Sequence, residues 1–299
     1  MRVLITGGAG FLGSHLAERL RGKHELLVLD NFSTGQTRAE SVEIIEGDVG
    51  DAHWVVDQFR PDVIAHAAAS YADPDNWQRD LKTNARGTAA VVRSAQKCGV
   101  ERIVYFQTAL CYGTKPLEQP ITLDHPIRPD SSYAISKTAG EQYIQLSGID
   151  YVSLRLANAY GPRNLTGPVP AFYKRLMAGE PCFVADTRRD FVFVDDIIDV
   201  VEMAVEGKGS GVYHVSSGRD TAIKDVHAAV SRALDIEPDA EVKPRTDDDA
   251  ATILLDPTRT NEDFGWSPSV PLEDGIARAV AWYREHGVRD TYTHLKVPA

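Results

Sequence analysis

The chain has 299 residues, of which 43% are hydrophobic and 25% are charged, a composition typical of a globular protein that buries a large core. Its formal net charge of −11 at pH 7 argues against nucleic acid or an anionic membrane as the main partner. We expect a cytoplasmic protein without a metal site, because no apolar run could span a bilayer and the cysteines are few and scattered: Cys98, Cys111 and Cys182.

The first predicted element is a buried strand over residues 2–6, a short run of apolar and β-branched side chains. Glycines follow directly from Gly7, and a helical pattern begins at Phe11. This order of elements can hold a pyrophosphate, because glycine lets the backbone approach the ligand and the helix N-terminus presents unpaired N–H groups. The spacing Gly8-x-Gly10-x-x-Gly13 therefore favours dinucleotide binding.

The second predicted strand, residues 26–29, ends at an acidic residue, Asp30. A dinucleotide fold places an acid there for the hydroxyls of the adenosine ribose. The carboxylate favours NAD, because it would repel the 2′-phosphate of NADP. Arg38 nearby leaves NADP open as the alternative.

Strands and helices alternate through the first half of the chain, which predicts a Rossmann-type, doubly wound parallel sheet of the α/β class. Ligands of such sheets bind beyond the carboxyl ends of the strands. Ala67, Ala68 and Ala69 follow one strand and favour either a flat cofactor close to the backbone or tight packing alone. The further strands are predicted at residues 42–46, 63–66, 103–107 and 151–156, and the helices at 11–21, 54–59, 76–98 and 133–147.

The alternation becomes irregular after residue 156, where a loop contains Gly161-Pro162. We expect a dinucleotide-binding domain over residues 1–160, joined by returning segments near 190–216. Residues 161–299 would form a smaller, interwoven α/β substrate domain above the sheet. Its predicted strands are residues 182–184 and 212–215, and its predicted helices are 170–178, 195–206, 223–234 and 272–285.

Tyr133 and Lys137 are four residues apart in a predicted helix that has N-cap candidates just before it. Residues with this spacing share a helix face. The lysine charge would then lower the pKa of the tyrosine and make the phenol a usable general base.

Several motifs in this order resemble the extended short-chain dehydrogenase/reductases, and within them the nucleotide-sugar epimerases and dehydratases of the UDP-glucose 4-epimerase kind. The resemblance covers nearly the whole chain. The motifs are TGGAGFLGSH, Asp30-Asn31, Gly47-Asp48, His66-Ala67-Ala68, Asn84 with Gly87-Thr88, Thr108 to Tyr112-Gly113, Tyr133 to Lys137, Leu154-Arg155 to Asn158, Gly161-Pro162-Arg163 and Arg189 to Val192.

This resemblance implies roles for matching residues. Tyr133 would act as the base, with Lys137 as its partner on the nicotinamide ribose, and Thr108 would share a hydrogen bond with the sugar hydroxyl being oxidised. The NAD-binding set would be Gly7, Gly10, Phe11, Leu12, Gly13, Asp30, Asn31, Asp48, Val49, Ala67, Ala68, Ala69, Asn84, Tyr133 and Lys137. The substrate-binding set would be Thr108, Tyr133, Asn158, Arg189 and Arg245, the last three at the phosphates.

Some of these residues have ordinary structural alternatives. Thr108 could cap a strand, and Arg189 could pair with a neighbouring aspartate on the surface. Arg163 could be structural or bind the ligand, and Cys111 and Tyr112 could line the sugar pocket or pack in the core.

The resemblance implies an NAD-dependent nucleotide-sugar epimerase, acting at C4 through a transient 4-keto sugar. Dehydratases of the family carry Asp and Glu directly after the threonine, where this chain has Ala109 and Leu110. A dehydratase or decarboxylase, and a catalytically silent NAD sensor, are the alternatives. The resemblance also implies a homodimer, formed by the helices over residues 76–98 and 133–147. We expect apolar and small residues to support it: Val91, Val92, Ala95, Ala134, Ala139 and Ile144.

Overall fold

The computed structural model describes residues 1–35, 37–245, 250–288 and 291. Its strands are β1 (Arg2–Thr6), β2 (Glu25–Asp30), β3 (Glu43–Glu46), β4 (Val63–His66), β5 (Arg102–Thr108), β6 (Asp150–Leu156), β7 (Asn158–Tyr160), β8 (Cys182–Ala185), β9 (Arg188–Arg189), β10 (Phe191–Phe193), β11 (Gly211–Val215), β12 (Thr221–Ala222), β13 (Ala240–Lys243) and β14 (Thr252–Ile253).

The helices alternate with these strands through the first half of the chain. They are α1 (Phe11–Leu20), α2 (Ala52–Phe59), α3 (Trp77–Asp80), α4 (Thr88–Cys98), α5 (Ser132–Leu146), α6 (Pro168–Met177), α7 (Val194–Val205), α8 (Ile223–Ala233), α9 (Thr258–Phe264) and α10 (Leu272–His286). Short 3₁₀ helices occupy Val49–Asp51 and Ala109–Tyr112, and Leu81–Gly87 is a π-helix that joins α3 to α4.

Seven parallel strands form the central sheet, in the order β3-β2-β1-β4-β5-β6-β11. The chain winds outward from β1 on one side and from β4 on the other, so the strand order reverses between them. A crevice at the carboxyl edge is expected at such a point. The predicted Rossmann-type α/β fold is confirmed.

Helices cover both faces of the sheet, because its central strands are apolar on both sides. Val3 and Ile5 belong to the core that packs under α1 and α7, whereas Leu4 between them belongs to the core under α2, α4 and α5. This alternation is the two-residue period of a strand. The two cores hold the sheet, and therefore its carboxyl edge, in a fixed geometry.

The second half of the chain adds small sheets that the sequence does not reveal, of order β10-β7, β12-β9-β14 and β13-β8. Strand β11 pairs with β6 at the edge of the central sheet. The division into two domains at residue 160 stays a prediction.

Most of the residues that are expected to form a homodimer interface are buried in the core of a single chain. Val91, Ala95, Ala134 and Ile144 are almost fully buried in the sheet's own cores, so they cannot supply an interface. The apolar side chains that the helices between residues 77 and 146 do expose are different ones: Trp77, Leu81, Ile135, Tyr143 and Leu146. The homodimer therefore stays a prediction, and these exposed residues are the ones that now support it.

None of the helices in the described ranges is both long and apolar enough to cross a membrane. Among the same residues, His, Cys, Asp and Glu side chains form no group of three or more that could hold a metal ion.

Candidate active site

A cleft opens at the carboxyl edge of the sheet, where the ends of five strands meet. Its lining includes residues at or just after the ends of β1, β2, β4, β5 and β6, in that order Gly7, Asp30, Ala67, Thr108 and Leu156. The other predicted site residues that line it are Gly10, Phe11, Leu12, Gly13, Asn31, Val49, Ala68, Ala69, Tyr133 and Asn158.

The backbone of the glycine loop, residues 7–10, packs so closely against neighbouring backbone atoms that a side chain would not fit at Gly7. Gly7 has φ of +72°, and a Cβ there would lie 2.5 Å from the backbone nitrogen of Ala68. A Cβ on Gly13 would lie 2.2 Å from the carbonyl oxygen of Gly7. Helix α1 begins after Gly10 with no side-chain cap and no acid in its first turn. Its N–H groups and positive dipole end are therefore open to a diphosphate, which fits a dinucleotide.

Asp30 joins the end of β2 to the glycine loop. Its Oδ2 accepts a hydrogen bond of 2.9 Å from the backbone N–H of Ala9, and its Oδ1 accepts one of 2.7 Å from Phe32. Burial raises the pKa of this carboxyl, while the backbone hydrogen bonds work against that rise. Arg38 stacks on the Phe32 ring at 4.3 Å and does not line the cleft, so Asp30 is the charged group at the ribose position.

Asp48, expected beside the adenine, caps a 3₁₀ helix and is not part of the cleft lining, so its adenine contact stays a prediction. Its Oδ1 accepts a 2.9 Å bond from Gly50 and caps the 3₁₀ helix, and its Oδ2 accepts one of 2.9 Å from Lys82 Nζ. Burial alone would raise the pKa of Asp48, but these bonds hold it below its usual value. Val49, the next residue, does line the cleft.

Asn84 is also placed outside the cleft lining, contrary to the expected cofactor contact. The side chain is 1% exposed. It accepts a 2.8 Å bond from the N–H of Ser70 and donates to the Ser70 carbonyl at 2.9 Å and to Ser136 Oγ at 3.0 Å. Asn84 therefore clamps the segment after β4 to helix α5.

Thr108 and Tyr133 both line the cleft. Thr108 ends β5, its hydroxyl accepts a 3.2 Å bond from the N–H of Leu110, and it lies close enough to the Tyr133 phenol to lower the pKa of that group. Tyr133 is in the first turn of α5, where Ser131 is the N-cap. The ring of Tyr71 contacts that of Tyr133 edge-on, with centroids 6.4 Å apart.

The expected lowering of the Tyr133 pKa is wrong for these surroundings. Burial raises the pKa well above its ordinary value, Tyr71 and Asp80 raise it further, and only the nearby Thr108 hydroxyl lowers it. Lys137 is itself 1% exposed, and burial lowers its pKa to about 7 although Glu141 opposes this. Lys137 is therefore only partly charged at neutral pH.

The two arginines expected at the phosphates do not reach the cleft lining. Arg189 Nη1 donates to the backbone carbonyls of Arg188 at 2.7 Å and Ala250 at 2.8 Å, and so holds β9 against the chain before β14. Arg245 is exposed and lines a separate surface depression with Lys115. Asn158 does line the cleft, and its Nδ2 donates to the carbonyl of Asp190 at 3.0 Å.

Comparison with known proteins decides the family. The model of the NAD-dependent epimerase/dehydratase family matches residues 3–216, which include the glycine loop, Thr108 and Tyr133.

The chain belongs to the NAD-dependent epimerase/dehydratase family.

Three similar proteins cover almost the whole chain. The UDP-glucose 4-epimerase of Mycolicibacterium smegmatis is 34% identical over 95% of this chain and 99% of that protein. WbmH of Bordetella bronchiseptica, crystallised with NAD+, is 48% identical with a TM-score of 0.92, covering 96% of this chain and 99% of that one. WbmG of the same organism, crystallised with NAD and UDP, is 44% identical with a TM-score of 0.91, covering 100% and 99%.

These matches confirm the resemblance to the extended short-chain dehydrogenase/reductases. They also confirm the cofactor, which is NAD. The glycine loop fits this cofactor because its glycines have no side chains that would keep a diphosphate away from the backbone. Asp30 fits it because its carboxylate lies where the fold binds the adenosine ribose.

The alternatives for three other residues are decided by their contacts. Arg163 donates to Glu18 at 2.7 Å and to Ser14 Oγ at 3.3 Å, so it is structural. Cys111 is fully buried, and burial raises the pKa of its thiol to about 12. Tyr112 is 1% exposed, and its phenol accepts a bond of 2.6 Å from Arg155. None of the three lines the cleft.

A buried ion pair supports α5 from behind. The side chains of Glu141 and Arg155 are 3% and 7% exposed, and their closest oxygen and nitrogen are 2.8 Å apart. Glu141 also accepts a 2.5 Å bond from Ser153 Oγ. The pair ties the helix that carries Tyr133 and Lys137 to β6.

Several lining residues were not predicted, because no motif marks them. Ser33 and Thr34 follow the acidic end of β2, and their nearness to Asp30 was the available signal. The others come from the segment after β4 and from the loop after β6: Ser70, Tyr71, Arg79, Thr83, Ala159, Tyr160, Asn164, Thr166, Gly167, Pro168 and Val169.

Proposed function

We propose that the protein is an NAD-dependent nucleotide-sugar epimerase that acts at C4 of the sugar. The observation that carries the proposal is that Thr108 and Tyr133 line the same cleft as the glycine loop, with the Thr108 hydroxyl close enough to the phenol to lower its pKa. A threonine hydroxyl and a neighbouring phenolate can together bind one further hydroxyl and remove its proton.

The chain's own residues would position the sugar and move the proton. Thr108 would hold the C4 hydroxyl, and the phenolate of Tyr133 would accept its proton as the 4-keto sugar forms. Because burial raises the pKa of this phenol, the phenolate would depend on the positive charges of Lys137 and of the bound cofactor to lower it. Tyr133 would return the proton when the sugar is reduced on its other face. When bound, NAD supplies the acceptor for the C4 hydride and its donor on the return.

The same cleft offers little support for a dehydratase. Elimination of water after oxidation needs an added acid and base beside the sugar. Among the cleft-lining residues that the structure describes, Asp30 is the one carboxylate, and it bonds backbone groups at the end of β2. Ala109 and Leu110 cannot exchange a proton, and Cys111 has its pKa raised to about 12 by burial.

A non-catalytic NAD sensor is the alternative from another class. The presence of Thr108 and Tyr133 together in the cleft lining argues against it, because cofactor binding alone does not need a threonine hydroxyl beside a buried tyrosine. Release of NAD on denaturation without turnover of any nucleotide sugar would favour the sensor.

The test is turnover of a panel of UDP-, dTDP- and GDP-sugars in deuterium oxide, with products read by NMR. UDP-sugars come first, because WbmG is crystallised with UDP. We expect a C4 epimer without deuterium at C5 and without a lasting 4-keto product. Deuterium at C5, or an accumulating 4-keto-6-deoxy sugar, would contradict the proposal and indicate a dehydratase.

A further inference from the structure

Two buried side chains fix the rotation of the helix that starts at α3. Asp80 is 1% exposed and accepts hydrogen bonds from Ser70 Oγ at 2.9 Å and Ser132 Oγ at 2.8 Å. Asn84, one turn later, bonds Ser70 and Ser136. Residues four apart share a helix face, so this face is held against the segment after β4 and the start of α5.

The neighbouring face of the same helix is turned to the cleft. Arg79 and Thr83, also four apart, both line it. Arg79 is the single Arg or Lys in the lining among the residues that the structure describes. Its helix turn adjoins the catalytic end of the cleft, because Asp80 bonds Ser132, the residue before Tyr133.

Arg79 is a half-buried residue, and its guanidinium has no ion pair with any residue in the described parts of the chain. Other half-buried arginines are paired: Arg163, for example, meets Glu18. A half-buried cation without a partner loses hydration and gains nothing in return, unless a ligand supplies the anion. The net charge of −11 increases that need, because the protein's overall field repels anionic ligands.

We propose that Arg79 binds the diphosphate of a nucleotide in the cleft. A planar guanidinium donates two parallel hydrogen bonds to phosphate oxygens. The diphosphate can come from NAD, or from the nucleotide sugar. The second source depends on the proposed function.

Arg86 provides the matched control, because it lies two turns further along the same helix and is exposed outside the cleft lining. Replacing either arginine by glutamine removes one positive charge from the same helix. Only the Arg79 variant removes one that faces the cleft.

The experiment measures the Kd of NAD, and the Kd of UDP in the presence of saturating NAD, by calorimetry for Arg79→Gln, Arg79→Lys and Arg86→Gln. We expect Arg79→Gln to raise at least one Kd about tenfold or more, as for loss of a hydrogen bond to a charged group. Arg79→Lys should recover part of the affinity, because it keeps the charge but not the paired donors.

The pattern of the two constants identifies the source. A rise for NAD alone assigns the contact to the cofactor, a rise for UDP alone assigns it to the nucleotide sugar, and a rise for both places Arg79 between the two diphosphates. Both constants within twofold of those of Arg86→Gln would overturn the proposal. Because the experiment measures binding and not turnover, its result tests the role of Arg79 even if the protein is not an epimerase.

Discussion

The hydroxyl of Thr108 lies close enough to the phenol of Tyr133 to lower its pKa, although one residue ends strand β5 and the other is in the first turn of helix α5. The two side chains come from the sheet and from a helix that packs on it, and both line the cleft. A sugar hydroxyl that is oxidised there would meet both groups.

Tyr133→Phe should fold, keep NAD and lose turnover by about 10²- to 10⁴-fold, the usual contribution of a general base. The substitution removes one oxygen and leaves the shape of the side chain. Turnover of the substrate found in the panel and the NAD released on denaturation are the two measurements. Tyr143→Phe, an exposed tyrosine on the same helix, is the control. Wild-type rates in Tyr133→Phe would remove this residue from the mechanism.

Asp30→Ala should weaken NAD binding about tenfold and reduce the preference for NAD over NADP. The ribose hydroxyls lose their acceptor, and a 2′-phosphate no longer meets a buried carboxylate. The ratio of the two dissociation constants checks this. Asp51→Ala, an exposed acid outside the cleft lining, should leave the ratio unchanged. An unchanged ratio in Asp30→Ala would show that the carboxylate acts only on Ala9 and Phe32.

Two buried histidines should make the fold sensitive to mild acid. Burial lowers the pKa of His66 to about 3, with Lys137 as a second cause, and lowers that of His214 to about 4. Histidine in the unfolded chain titrates near 6.5. Below that pH the unfolded state binds protons that the folded state does not, so the free energy of unfolding falls as pH decreases from 7 towards 5.

Urea unfolding at several pH values measures this slope, to which each histidine adds up to about 1.4 kcal/mol per pH unit. His214→Gln should reduce the slope by about that amount, whereas the exposed His53→Gln should not change it. Equal slopes for wild type and His214→Gln would mean that His214 is not held neutral in the folded protein.

The chain should form a homodimer through the exposed apolar residues of the helices between residues 77 and 146. Ile135 and Leu146 of α5 are 52% and 80% exposed, and burying them against a second copy would remove apolar surface from water. Light scattering at micromolar concentration should give twice the mass of one chain. Ile135→Asp should give monomers, and Met177→Asp, an equally exposed apolar site on α6, should not. A wild-type monomer would contradict the prediction.

The sequence predicts those elements whose characteristic residues lie close together in the chain. The glycine loop can be recognised from the order of Gly7, Gly10 and Gly13 alone. The start of the helix that carries Tyr133 and Lys137 can be predicted from the N-cap residues just before it. The central strands can also be predicted, because short runs of apolar and β-branched residues such as that of β1, followed by glycines, favour a buried strand.

The sequence does not predict contacts between side chains that are distant in the chain. Asp48 and Asn84 are expected at the cofactor, and the sequence does not show that they also bond Lys82 and Ser136, which lie far from them in the chain. Which partner a buried polar side chain bonds depends on how the chain packs, and residue spacing in the sequence does not show this. Strands of two residues, such as β9, are too short to show a period, so the placement of Arg189 could not be foreseen either.

The Glu141–Arg155 ion pair limits the routes by which this sequence can evolve. Loss of either partner alone leaves a buried charge at a cost of about 3–5 kcal/mol, a large share of an ordinary protein's stability of about 5–15 kcal/mol. Replacing both by apolar residues of similar volume can be neutral. Descendants of this chain are therefore expected to keep both residues or to have exchanged both, with single replacements rare between them.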